Sequence, residues 1–108
     1  MPCLFTVNVS LAQAVFDNFD HYTLDEHLCL QSNNLWTTRD YNPGGLSDVY
    51  VTNEHSFSGN NSIKFDLDNS TADVVLPLGN IKTGEWLISF MMRIESGYGA
   101  YFNMLHEF

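Results

Sequence analysis

Trp86, Ile88, Phe90, Met92 and Ile94 are apolar at every second position, the strongest alternating stripe in the chain. Because a strand turns successive side chains to opposite faces, the stripe predicts a strand with these five residues on its buried side. The other face, Leu87, Ser89, Met91 and Arg93, is half apolar, which places this strand inside a sheet, partly covered on both sides. A helix over 85–95 is the competing reading; the aromatic and branched residues, bounded by Gly84 and Gly97, favour the strand. Two shorter stripes precede it. Val49 and Val51 share one face, and Ile63, Phe65 and Leu67 point inward while Lys64, Asp66 and Asp68 point out. Further upstream, 15–22 reads as a short strand anchored by Phe16 and Phe19, and Thr23 with Glu26 fits a capping box that opens one helical turn. Residues 32–48 collect turn formers around one aromatic strand fragment at Trp36, forming the longest irregular stretch. Such loops carry function more often than the strands beside them.

Composition narrows the class. A chain of 108 residues with 44% hydrophobic and 14% aromatic residues has room and material for one packed domain. Charged residues make up only 16% while Asn, Ser and Thr are abundant, a balance that fits an all-β extracellular domain. Thirteen acids face four bases, Arg39, Lys64, Lys82 and Arg93, for a formal charge of −9. Nucleic acid is disfavoured as a partner, since phosphate neutralisation needs clustered Lys and Arg. An acidic surface suits divalent cations or neutral sugars instead. No apolar run approaches the ~20 residues of a membrane-spanning helix.

Residues 1–14 end in Ala12-Gln13-Ala14, the small-x-small pattern read by signal peptidase, but lack a basic start. They read as the remnant of a secretion signal or, alternatively, as an apolar first strand with Leu4, Val7 and Val9 inside. Cys3 and Cys29 make one possible bridge, but cleavage after Ala14 would leave Cys29 alone, as a buried inert thiol. No CxxC or Cys/His cluster has zinc spacing.

The order of motifs adds to this reading. Phe19-Asp-His-Tyr, Trp36-Thr-Thr, Pro43-Gly, Ser58-Gly-Asn-Asn-Ser-Ile, Val75-Leu-Pro-Leu-Gly, Gly84-Glu-Trp-Leu-Ile-Ser-Phe and Tyr101-Phe-Asn-Met-Leu-His follow one another. The series resembles the N-terminal half of a concanavalin-lectin-like jelly-roll module found in secreted bacterial proteins associated with type IX secretion. The resemblance implies an antiparallel β-sandwich over 15–108 whose returning strands lie beyond Phe108. It also implies a non-catalytic, secreted or cell-surface role in carbohydrate binding or adhesion. A ligand-free structural spacer is the alternative, and a glycoside hydrolase fragment the third reading. With its returning strands absent, the 86–94 face is expected to lie uncovered and 100–108 to form an open edge that self-associates.

Sugar binding needs flat aromatic faces with amides and carboxylates at the rim. Trp36, Tyr41, Asn42 and Asp48 gather in one loop-rich region, and Tyr98 and Tyr101 flank a Gly-rich turn; a Trp in a jelly roll more often plugs the end of the sandwich than stacks on a ligand, so Trp36 has that competing role. The resemblance further implies one structural Ca²⁺, with Asp17 or Asp20 as the early acid, carbonyls from the turn that ends at Asn61, and a final acid beyond Phe108. Asp66 and Asp68 share a strand face as a glycosidase pair would, but Lys64 beside them marks a solvated surface. His21 and His27 match no recurring ligand spacing, and His106 sits on an apolar stripe.

Overall fold

A computed structural model describes residues 15–66, 68–79 and 81–105; 1–14, Leu67, Asn80, and His106 to Phe108 lie outside the described residues, and with them the signal-remnant expectation. Within that span the architecture is all-β in character: two small antiparallel sheets and a single helical turn. The elements in chain order are α1 (Leu28–Gln31), β1 (Thr37–Thr38), β2 (Tyr50–Thr52), β3 (Ser62–Lys64) and β4 (Val74–Val75). β2 pairs with β3, setting Val51 opposite Ile63, and β1 pairs with β4, setting Thr38 opposite Val74.

The segment entering α1 extends the β2 sheet. Leu28 N donates to Val49 O at 2.8 Å, Asp25 N to Val51 O at 2.8 Å, and Val51 N to Glu26 O at 3.1 Å. These bonds use the edge of β2 that β3 leaves open, so the valine stripe is held from both sides. Val49 and Val51 are both buried and meet Leu28 and Tyr22, with Phe19, Trp36, Ile63, Ala72 and Val74 packed around them. The alternation over 48–52 therefore predicts the core correctly, as does Ile63 on β3.

Other expectations are corrected. The helical turn starts four residues later than the capping box implies, with His27 rather than Thr23 as N-cap. Thr23 is exposed, and its backbone N–H donates to the Gln31 side chain at 2.8 Å. Phe16 is exposed rather than an anchor, because Asp17 Oδ1 accepts from Phe19 N at 2.8 Å and folds 17–20 into a turn. β3 ends at Lys64, so Phe65 is exposed and Asp66 and Asp68 leave the strand; Asp66 Oδ1 accepts from Asp68 N at 3.0 Å in a tight turn.

The largest correction concerns 86–94. Its side chains alternate as predicted, with Ile88, Phe90 and Met92 about half exposed and Leu87 and Met91 more so. Among the described residues, however, this backbone pairs with no other strand, and the stripe faces only the arm beyond Gly97, where Phe90 meets Phe102 edge to face at 4.7 Å. A strand is defined by the ladder it joins, and alternation alone supplies no partner.

Candidate functional site

Asp48 organises the loop that the sequence marks as functional. It is 2% exposed, and a charge so buried persists only where donors surround it. Oδ1 accepts from Cys29 N at 2.9 Å and Val49 N at 2.8 Å, while Oδ2 accepts from Leu30 N at 3.2 Å and Gly44 N at 2.8 Å. Cys29 and Leu30 are the second and third residues of α1, whose N-cap, His27, makes no side-chain cap bond. A carboxylate 18 residues downstream of Leu30 thus does what an N-cap side chain ordinarily does, satisfying amides that a helix start leaves open. Burial pushes the Asp48 pKa up, but the amides of Cys29, Gly44 and Val49 together outweigh it and hold the carboxyl below the usual range. The same burial, reinforced by a hydrogen bond to Asp48, pushes the Cys29 thiol up, and the free cysteine is buried.

Thr38, fully buried on β1, holds the other side of the loop. Its carbonyl accepts from Tyr41 N at 3.0 Å and its hydroxyl from Asn42 N at 2.6 Å. Gly45 N donates to Asn42 O at 2.9 Å, and Leu46 O accepts from Asn69 Nδ2 at 2.7 Å and Thr71 Oγ1 at 3.1 Å. The loop from 39 to 47 is therefore pinned from below by Asp48 and Thr38, and from the side by 69–71. At its crest Tyr41 has φ 56° and is 65% exposed. Bulky side chains seldom occupy the left-handed region, and those that do cluster where surrounding structure imposes strain for function.

The remaining expected residues fall elsewhere. Trp36 packs at 5.9 Å against Phe19, and its indole N–H donates to Asp17 Oδ2 at 2.9 Å, so it plugs the core edge. Asp48, expected at the rim of a sugar surface, is instead committed to four backbone amides. Tyr98 and Tyr101 are exposed on the arm beyond Gly97. Tyr41, exposed beside Asp40 and Asn42, is the one that the fold presents on a braced loop.

Of Asp17, Asp20 and Asn61, the expected calcium ligands, Asp20 and Asn61 meet, with the wrong polarity for a cation, while Asp17 bonds to Phe19, Tyr22 and Trp36. Asp17 Oδ2 also accepts from Tyr22 O–H at 2.7 Å, and burial first, then this bond, pushes the Tyr22 phenol up. Asp20 Oδ1 accepts from Asn60 N at 3.0 Å and Asn61 N at 2.9 Å, while Asn61 Nδ2 donates to Phe19 O at 3.2 Å. A calcium cage turns six to eight oxygens toward the ion; here the turn offers N–H groups to Asp20 rather than carbonyls. The residues present do not fit Ca²⁺, and among the described residues no three His, Cys, Asp or Glu side chains converge. The Asp20 latch explains Gly59, which has φ 65° and where a Cβ would run into the Asp20 carboxylate.

Asp66 and Asp68 border a shallow depression of about 150 Å³ with Tyr50 and Lys64. Lys64 is turned away from them to Glu54, at 2.9 Å on the surface. His27 stacks on Tyr50 with ring centroids 4.3 Å apart, packing against the sheet rather than facing a ligand. No helix among the described residues is long and apolar enough to cross a membrane.

Comparison with protein-family models, with curated proteins and with solved structures finds no match. The functional reading therefore rests on the residue pattern and on the geometry of the braced loop.

Thr38 and the true role of Asp48 are what sequence reasoning missed. Asp48 has the opposite parity to Val49 and Val51, so alternation assigns it to solvent. Only the distance-closing amides of α1 and Gly44 reveal it as buried.

Proposed function

We propose that the chain is a non-catalytic module of a secreted or cell-surface protein, built on the jelly-roll sandwich plan, that binds neutral glycan through Tyr41 and its flanking polar residues. The observation that carries this reading is Tyr41 itself: an exposed ring held at positive φ on a loop braced by two buried side chains. A sugar stacks its C–H face on such a ring, and a loop backbone that is already braced loses little entropy on binding. Asp40 and Asn42, both exposed beside it, supply acceptors and donors for hydroxyls. A charge of −9 contributes nothing to a neutral ligand and opposes an anionic one.

The test is a screen of neutral polysaccharides with the full chain, followed by Tyr41→Asn. Asn tolerates the left-handed conformation, so this variant removes the ring without adding strain. Binding is expected to weaken at least tenfold, or by about 1.4 kcal/mol, with an unchanged or higher Tm. A blank screen, or equal affinity in the variant, favours the ligand-free spacer and overturns the reading.

A further inference from the structure

We propose that residues 85–93 pair antiparallel with the same residues of a second copy of this chain, about a two-fold axis through Ser89. The backbone of this segment forms no hydrogen bond with another described segment, so it presents a ladder edge to any matching strand. Its side chains already alternate, with Trp86, Ile88, Phe90 and Met92 as the less exposed set. Parity restricts the register: only pairings in which even residues oppose even ones keep that stripe on one face of the joined sheet.

Charge then selects among those registers. Centring on Ser89 places Arg93 opposite Glu85 of the second copy, twice by symmetry, and pairs Trp86 with Met92 and Ile88 with Phe90 across the axis. Centring on Phe90 would set Glu85 against Glu95, a like-charge pair that is destabilising. Within one chain Arg93 meets Glu95 at 3.3 Å on the surface, an exposed contact that contributes little and is readily exchanged.

Charge also identifies the occupant as a like segment. Residues 81–105 carry two acids and two bases, whereas 15–79 carry ten acids and two bases. Two copies meeting through this neutral arm keep their acidic parts apart. Exposed apolar surface also lies along the paired segment: Trp86 and Phe90 are half exposed, and Leu87 and Met91 more so. The pairing stands apart from the Tyr41 loop and does not depend on its ligand.

The experiment uses the full chain with Cys3→Ser, leaving Cys29 buried. Sedimentation velocity at micromolar concentration is expected to show a dimer. Under mild oxidation Ser89→Cys is expected to cross-link to itself, because directly opposed residues lie about 4.5–5.5 Å apart at Cα, within disulfide reach. Met91→Cys is four residues out of register with its own mate, roughly 13 Å at strand spacing, and is expected to stay unlinked. Arg93→Glu should weaken the dimer at least tenfold, and Glu85→Arg added to it should restore association. A monomer at every concentration, or equal cross-linking of Ser89→Cys and Met91→Cys, overturns the proposal.

Discussion

Replacing Asp48 by Asn changes one atom and tests the central argument about the loop. Asn keeps an oxygen for Cys29 and Val49, the pair at 2.9 and 2.8 Å. Its amide nitrogen then faces the N–H groups of Leu30 and Gly44, which now meet a donor instead of an acceptor. Two hydrogen bonds to a charged group, at about 1.5–3 kcal/mol each, are lost. Leu30 is exposed and Gly44 partly so; water recovers some of this, giving an expected loss of about 3 kcal/mol. Asp48→Ala removes all four bonds and strands buried amides at Cys29 and Val49, each costing about 1–3 kcal/mol more. That total approaches the roughly 5–15 kcal/mol by which a domain of this size is stable.

Urea denaturation followed by Trp36 fluorescence, in a Trp86→Phe background and at two protein concentrations, reads the difference. With m near 1.5 kcal/mol/M, the Asn variant should unfold at about 2 M less urea. The pH dependence has a definite sign. Asp48 is held below its unfolded value of about 3.9, so its contribution is complete above that value and is lost as pH falls through the folded one. The Asn variant should lack this acid-sensitive part and converge on the native protein at low pH. A loss under about 1 kcal/mol at pH 7, or an unchanged acid profile, would refute the role assigned to Asp48.

Two further outcomes are expected beside those given for Tyr41 and Ser89. Gly59→Ala should destabilise by about 2–4 kcal/mol, combining the left-handed backbone penalty of about 1–2 kcal/mol with displacement of Asp20 from the amides of Asn60 and Asn61; equal urea midpoints would show the latch to be idle. Cys29, buried and with its pKa pushed up, should resist a thiol reagent at pH 8 in the Cys3→Ser chain until urea unfolds it, and prompt native labelling would contradict its burial.

What alternation encodes was legible where a partner strand is present: Val49, Val51 and Ile63 as core. What depends on pairing was not. The 86–94 stripe is the cleanest in the chain, yet periodicity reports which side chains share a face and says nothing of what covers it. Short-range polar chemistry misled in the same way. Thr23 and Glu26 have capping-box spacing, but a carboxylate from Asp48 reaches the helix start, and no local pattern reveals a cap that comes from so far along the chain. Tyr41 lies exposed among the turn formers, whereas Trp36 and Asp48 are drawn inward by partners at Asp17 and α1.

Those partners expose a common device. Asp17 joins the first turn to Trp36, Asp20 joins it to Asn60 and Asn61, and Asp48 joins β2 to α1 and Gly44. Each carboxylate closes a long interval of chain, and each does so chiefly onto backbone amides or a ring N–H rather than onto Lys or Arg. With five buried hydrophobic residues among those described, Val49, Val51 and Leu28 among them, apolar burial at about 1.5–3 kcal/mol a side chain is modest against the entropy of ordering the loops between them. The acids therefore do structural work that their net charge conceals. Three of the thirteen are bonded inward as pegs, and one of them, Asp48, steadies the loop that carries the exposed Tyr41. Among its described residues the neutral arm has no such pegs, and the proposed strand pairing is what would order it.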